Sequence, residues 1–391
     1  MTDKFPKIFK AYDIRGLVGS ELTKQFAFST GVAFAKFLEL QREPGTVVIG
    51  EDMRPSSPDL ADAFSSGVTS QGLDVIRIGL ASTDLLYFAA GKLNLPGAMF
   101  TASHNPAKYN GIKLCLSGAK PIGKESGLLT IENFVREGVP VSMRSMGKES
   151  AQDMLQDYVD YLLTLVDLQS IRKLKIVIDA GNGMAGHTAP AVFKRINAEV
   201  TEMFFELDGT FPNHEANPID EQNLADLKQM VKKVRADIGL AFDGDADRLG
   251  VVTKDGQVIF PDRQMMLFAK DVLSRHPNGQ IIYDVKCTRL LAPGSLGPLE
   301  PVVHRIAQSV EQPVIRRRHE IPLRYQHAAC RSASGRSVLH HYFVRGGFPA
   351  DDTDRIECCL SSGRSRFDAC GCSGTHQRCV HFPSFGKFRV Q

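Results

Sequence analysis

The sequence predicts an α/β protein built from tandem domains with mixed sheets. Three observations carry that expectation. Apolar runs of strand length alternate with amphipathic segments of helical period through the first 293 residues. Three of the strands end in a polar or glycine-containing loop, Val47–Asp52, Ile176–Gly181 and Ile281–Lys286, a weak repeat with a period of about 100 residues. Hydrophobic residues make up 43% and charged residues 23% of the 391, the balance of a globular chain with room for two to four cores.

Strands are expected at Thr46–Gly50, Val75–Ile78, Ala98–Thr101, Lys175–Asp179, Val200–Phe205, Ile238–Phe242 and Leu249–Val252. Helices are expected at Leu22–Glu39, Pro58–Gln71, Met154–Leu165 and Glu221–Val234, where apolar residues recur three and four apart. The acidic stretch Gly147–Asp157 marks a boundary, giving a first domain over 1–150, a second over 151–255 and the start of a third over 256–293.

Past Pro293 the composition changes. Residues 294–391 carry 14 bases, 13 of them Arg, against 8 acids, whereas the first 293 carry 33 bases against 36 acids. The net charge of +3 therefore hides a body at −3 and a tail at +6. Seven of the 11 His and six of the eight Cys also fall in the tail. Neither strand nor helix periodicity is read there, and the segment is expected to be aberrant or disordered. No apolar run approaches the roughly 18 residues that span a bilayer, and no signal peptide opens the chain, so the expectation is a cytoplasmic protein with no membrane partner. The tail's arginines have few aromatics among them, which argues against nucleic acid. Oligomeric state is not legible.

Asp243-Gly-Asp-Ala-Asp-Arg248 is the strongest chemical signal. Carboxylates at every second position would scatter around a helix, but an extended turn with small residues between points them one way. Three hard oxygen ligands suit Mg²⁺. A calcium EF-hand loop would need Gly and Glu where Arg248 and Lys254 stand, and helices where strands are read.

The second signal is Met99-Phe-Thr-Ala-Ser-His-Asn-Pro106, which halts a buried run at Ser103 and then stiffens the backbone. Alone it reads as a turn or cap. Beside a Mg²⁺-type loop, Ser103 reads as a phosphoryl-carrying nucleophile, with His104 or Lys113 as proton carriers. Loop bases Arg15 and Lys286 are candidate phosphate contacts, whereas Arg54 reads as a surface charge. Two patterns resemble nucleotide loops. Gly181-Asn-Gly-Met-Ala-Gly186 matches G-x-G-x-x-G, but Pro190 follows closely, and Gly118–Lys124 has P-loop spacing with Glu125 in place of the Mg²⁺-binding hydroxyl. Zinc-like spacing at Cys370, Cys372, His376 and Cys379 has no second pair at the usual separation. A dinucleotide-dependent oxidoreductase on the 181–186 loop and a non-catalytic phosphosugar-binding protein are the competing function classes.

Together, Ala11–Gly16, Thr101–Pro106 with Asn110–Lys113, Asp179–Gly183, Asp243–Arg248 and Asp284–Thr288 resemble the α-D-phosphohexomutase family, most of all its bacterial phosphomannomutase/phosphoglucomutase branch. The resemblance implies tandem domains of that family's α/β type. It implies a mutase that interconverts hexose 1-phosphate and 6-phosphate, on mannose and possibly glucose, through a phosphoserine and a hexose 1,6-bisphosphate. By the same resemblance, Ser103 is the phosphoserine, and Asp243, Asp245 and Asp247 hold Mg²⁺ together with a Ser103 phosphate oxygen. Tyr12, Arg15, Arg248 and Lys286 are phosphate and substrate contacts, and His104 and Lys113 the acid–base pair. The family further implies a Gly-Glu-Met-Ser-Gly-His sugar loop in a third domain and an Arg/Ser/Thr-rich phosphate cradle in a fourth. The 391 residues contain neither pattern, and the resemblance ends near Leu291–Pro293. The third domain is therefore expected to be incomplete, the fourth absent, the tail translated from a shifted frame, and mutase activity low.

Overall fold

The computed structural model describes residues 8–140, 142–166, 168, 171–276, 281, 283, 287 and 288, and the backbone of 324–331, 338–345 and 356–359. The chain divides into two compact units, Met1–Pro261 and Asp262–Gln391.

The first unit contains two mixed sheets. Its N-terminal sheet is formed by β1 (Ile14–Leu17), β2 (Thr46–Glu51), β3 (Asp74–Leu80), β4 (Gly97–Phe100), β5 (Tyr109–Leu116), β6 (Lys120–Pro121) and β7 (Glu149–Ala151). The order is β1-β5-β4-β2-β3-β7, with β6 beside β5. Pairings β4–β2, β2–β3 and β3–β7 are parallel, and those made by β5 are antiparallel. Parallel neighbours need crossover helices. α1 (Lys24–Gln41) precedes β2, α2 (Ser57–Ser70) links β2 to β3, and α3 (Thr83–Leu93) links β3 to β4. α4 (Leu129–Glu137) and α5 (Leu155–Leu163) follow.

The run Val47-Val-Ile49 is apolar throughout because both faces of β2 are covered. Val47 and Ile49 join a core with Phe34, Phe37 and Phe64 from α1 and α2. Val48 joins the opposite core with Leu85 and Leu86 of α3 and with Met154 and Tyr158 beside and within α5. The side-chain oxygens of Thr23 and Ser82 cap α1 and α3 by accepting from the N–H groups of Phe26 and Leu85.

The second sheet runs β12-β11-β10-β8-β9, from β8 (Leu174–Asp179), β9 (Ala198–Met203), β10 (Ile238–Phe242), β11 (Leu249–Thr253) and β12 (Val258–Ile259). β8 lies parallel to both β9 and β10, while β10–β11 is an antiparallel hairpin. α6 (Ala185–Phe193) and α7 (Ala225–Val234) flank it. Val177 packs with Leu227 and Val231 of α7, and Ile176 and Ile178 with Ala189 of α6, so this sheet too is buried on both faces.

The second unit contains α8 (Pro261–Arg275, entered one residue earlier) and an antiparallel sheet of β13 (Arg324–Arg331), β14 (Val338–Arg345) and β15 (Ile356–Cys359). No strands were expected beyond 293. Val338-Leu-His-His-Tyr-Phe-Val344 is nevertheless rich in β-branched and aromatic residues, which a pleated strand favours. The third repeat loop ends at 284–286, outside the described residues, and Lys286 lies there with it.

Candidate functional site

Two loops of the first unit build the site. The first joins β4 to β5 and carries Ser103. Its backbone has no sheet partner, so local bonds shape it: the Ser103 N–H donates to Thr101 Oγ1 at 2.9 Å and the Asn105 N–H to the Ala102 carbonyl at 3.0 Å. Ser103 has φ +51°, the left-handed region that a non-glycine side chain enters at a cost of about 1 kcal/mol. The second loop is the β10–β11 turn. Asp243 organises it, its Oδ1 accepting from the N–H groups of Asp247 at 3.0 Å and Arg248 at 2.9 Å.

Glycines let the loops touch. A Cβ on Gly244 would lie 2.4 Å from the Ser103 carbonyl oxygen, and one on Gly183 would lie 2.8 Å from the Gly244 carbonyl oxygen. The Met184 N–H donates to that same Gly244 carbonyl at 2.9 Å. The G-x-G-x-x-G spacing is thus accounted for by backbone packing: Gly183 backs the acidic turn, and Gly186 meets the Phe205 carbonyl.

Across the contact, Ser103 Oγ donates to Asp243 Oδ2 at 2.7 Å. Asp243, Asp245 and Asp247 each place a carboxylate oxygen within 4.8 Å of the others, a group that could hold a metal ion. Lys113, on β5, bridges Asp245 Oδ2 and Asp247 Oδ2 at 2.7 Å each. Arg248 Nε stands 3.8 Å from Asp243 and 3.9 Å from Asp247. Two cations thus face three carboxylates. Burial, followed by the charges of Asp245 and Asp247, pushes the Asp243 carboxyl well above the usual carboxylate range. Burial also opposes charge on Asp245, but the Lys113 ammonium and hydrogen bonds from Lys113 and Thr83 outweigh it and hold that carboxyl below its ordinary value. Burial would likewise disfavour charge on Lys113, yet Asp245 and Asp247 keep it protonated above the normal lysine range.

Asp245 Oδ1 is buried without a hydrogen-bond partner. An orphaned carboxylate oxygen among three carboxylates, left negative by the two cations facing them, is the environment a hard divalent cation relieves. The residues present therefore fit Mg²⁺.

His104 and Arg15 complete the surroundings. His104 Nδ1 lies 3.3 Å from Ser103 Oγ and accepts from Arg248 Nη1 at 2.8 Å, which assigns the Nε2–H tautomer from the hydrogen-bond geometry. Arg15 donates from Nη1 to Asn105 Oδ1 at 2.8 Å, and its buried Nε has no hydrogen-bond partner. Tyr12, on the loop before β1, is 52% exposed. Of the residues singled out from the sequence, Ser103, His104, Lys113, Arg248 and the three aspartates form one connected cluster, with Arg15 joined to the serine loop through Asn105.

The structure overturns one reading and adds two residues. Arg54 is not a surface charge: its side chain is fully buried. A surface reading fails because the serine loop presents main-chain carbonyls that need donors, and Arg54 supplies them. Thr83 and Asp84 were not singled out. Thr83 donates from Oγ1 to Asp245 Oδ2 at 2.6 Å and from its N–H to the Asp245 carbonyl at 3.1 Å, so the start of α3 anchors the acidic turn. Asp84 lies in the first turn of α3, where burial and then the charges of Asp247 and Asp245 push its carboxyl up to about 7. The Ser82-Thr-Asp84 cap pattern was the available sequence signal.

A serine hydroxyl seated among three carboxylates where two mixed α/β layers meet defines the class of protein. The comparisons with known proteins agree. Family models described as Phosphoglucomutase/phosphomannomutase, alpha/beta/alpha domains I and II, match residues 6–139 and 156–256. The phosphoglucomutase of Neisseria gonorrhoeae is 46% identical over 287 residues, covering 73% of this chain and 61% of its own length. The phosphomannomutase/phosphoglucomutase of Pseudomonas putida is 43% identical over 288 residues, covering 73% of this chain and 60% of its own. A crystal structure of a phosphoglucomutase/phosphomannomutase family protein from Burkholderia thailandensis superposes with a TM-score of 0.69 at 42% identity, covering 75% of this chain and 64% of that one. The chain belongs to the α-D-phosphohexomutase family. It spans about three fifths of the length of the curated relatives it matches.

Proposed function

We propose that this chain carries the phosphoryl-transfer centre of a hexose-phosphate mutase acting on mannose or glucose phosphates. The single observation that supports this most is the 2.7 Å contact of Ser103 Oγ with Asp243 inside the three-carboxylate cluster. Asp243, Asp245 and Asp247 would hold Mg²⁺, which neutralises phosphate charge when bound. A phosphoryl group on Ser103 adds nearly two negative charges, and that load explains why a divalent cation, Lys113 and Arg248 converge here.

In the proposed cycle, hexose 1,6-bisphosphate gives a phosphoryl group to Ser103. The sugar O–P bond breaks, the Ser103 Oγ–P bond forms, and the serine proton leaves. His104 is positioned to take it, 3.3 Å away and neutral, once Arg248 turns from its Nδ1 toward the phosphate. Lys113, once released from the two aspartates it bridges at 2.7 Å each, would supply a proton to the departing sugar oxygen. The reverse transfer to the other sugar hydroxyl returns both protons. Arg15, with a buried N–H left over, and Tyr12 at the loop surface are the nearby candidates for gripping the sugar phosphate. Ser103 is only 1% exposed, so uptake requires the loops around it to part.

Incubation with hexose 1,6-bisphosphate and Mg²⁺ followed by peptide mass spectrometry tests the reading. One phosphoryl group on Ser103 is expected, with none in Ser103→Ala and none after chelation of the metal. Binding of phosphosugar with no covalent label would instead favour a non-catalytic phosphosugar-binding role.

A further inference from the structure

We infer that Arg54 is a positioning residue for the nucleophile: it fixes the Ser103 loop by holding three of its main-chain carbonyls together with that of Tyr109, the first residue of β5. The inference rests on the reading of Ser103 as the phosphoryl carrier. Its guanidinium uses both terminal nitrogens. Nη1 donates to the carbonyls of Pro106 at 3.1 Å and Tyr109 at 3.0 Å, and Nη2 to those of Ser103 at 2.8 Å and Asn105 at 2.7 Å. The remaining donor, Nε, goes to Asp52 Oδ2 at 3.2 Å. Asp52 is itself fixed, since its Oδ1 accepts from the Arg54 N–H at 3.0 Å and from Ser57 Oγ at 2.6 Å. The planar fork is therefore anchored through Asp52 as well as through the carbonyls it grips.

Three features say that this is more than a buried ion pair. The loop it holds has no ladder partner of its own, and Ser103 sits in left-handed backbone that needs outside support. The carbonyl it grips at 2.8 Å belongs to the nucleophile itself, whose side chain meets Asp243. The acidic-turn layer also packs on Arg54: the Phe211 ring stacks 5.1 Å from the guanidinium carbon, and a Cβ on Gly209 would come within 2.5 Å of Arg54 Cα. Arg54 thus ties the serine loop to the layer that brings the aspartates. Lysine cannot replace it, because one ammonium cannot reach four carbonyls in a plane.

The test compares wild type, Arg54→Lys and Arg54→Met in the full chain by two independent readouts. Hydrogen exchange of peptides spanning 102–109 reads the loop directly. Both variants should exchange there roughly tenfold faster than wild type, with β2, β4 and α1 unchanged. The rate of Ser103 phosphorylation by hexose 1,6-bisphosphate reads the consequence, and it should fall about 100-fold in both variants, as an ångström of misplacement costs. Metal binding, followed by Mn²⁺ paramagnetic relaxation, should change less than threefold, which separates loop positioning from damage to the carboxylate cluster. If Arg54→Met does not fold, Arg54→Lys, which keeps charge and bulk, decides alone. Loop exchange and phosphorylation rate both within threefold of wild type would overturn the inference. Absence of phosphate uptake by the wild-type chain would overturn the proposed function instead, and the loop exchange would still decide whether Arg54 holds the loop.

Discussion

Asp243 shows how function and stability pull apart at the scale of one residue. Its two oxygens accept three hydrogen bonds, from Ser103, Asp247 and Arg248, so geometry wants an acceptor there. Charge does not, because burial and two neighbouring carboxylates push its carboxyl up. An acid whose folded pKa lies above its unfolded value loses folding stability as pH rises between the two. Asp243→Asn keeps Oδ1 for the two N–H groups and lets Ser103 Oγ accept from the new amide. We therefore expect the metal-free variant to be stabilised at pH 7, by on the order of 1 kcal/mol, and to show none of the Tm increase that Mg²⁺ is expected to give wild type. Thermal melts with chelator and with Mg²⁺ check both halves, and a variant less stable than wild type in chelator would refute the charge argument. At this scale the sequence showed the residue types and their convergence, since alternate aspartates between two strands have few other uses. It did not show Arg54 or Thr83. Their roles depend on which carbonyls and carboxylates come to face them across 49 and 162 positions of chain, and no local pattern encodes that.

At the scale of elements, the helices α1, α2, α5 and α7 and most strands of the first unit were legible, and α3, α4, α6 and β5 were not. β10 was read with its observed bounds, and β2, β8, α1 and α2 within two residues. α3 was missed because Leu85-Leu-Tyr-Phe-Ala-Ala90 is apolar nearly all round, which erases the 3.6-residue signal. α6 was missed because Pro190 interrupts it. The α1–α2 contact yields a prediction with an unusual sign. Replacing a helix glycine by alanine ordinarily stabilises by about 1 kcal/mol. Here a Cβ on Gly31 would lie 2.2 Å from the Phe64 carbonyl oxygen of α2, and one on Gly67 would lie 2.2 Å from the Phe28 carbonyl oxygen of α1. Backbone, unlike a flexible side chain, cannot step aside, and forced separation of packed helices costs about 1–3 kcal/mol or more. Gly31→Ala and Gly67→Ala should each be net destabilising in urea titration. A gain in stability from either would mean that the helices separate freely.

For the whole molecule, the question is what a chain with this centre can complete. A mutase needs two transfers, with the sugar turned over between them and its distal phosphate gripped in both orientations. The Ser103 and Asp243–Asp247 loops lie within the first compact unit. The sugar-loop and cradle patterns that the family resemblance implies are nowhere in the 391 residues, and the composition changes at the point where the resemblance ends. We propose that residues after about 293 are translated from a shifted frame. Reading the same gene segment in the other two frames should recover Gly-Glu-Met-Ser-Gly-His, and its absence from both would end that proposal. The biochemical counterpart is a split between half-reaction and turnover. The chain as written should accept a phosphoryl group on Ser103 yet convert mannose 1-phosphate to mannose 6-phosphate at least about 100-fold more slowly than the frame-restored protein, because remote binding energy is what holds the sugar for the second transfer. A coupled assay of the two proteins at equal Ser103 phosphorylation measures the ratio. Equal turnover would show that the residues resembling the family up to about 293 suffice to hold and turn the sugar.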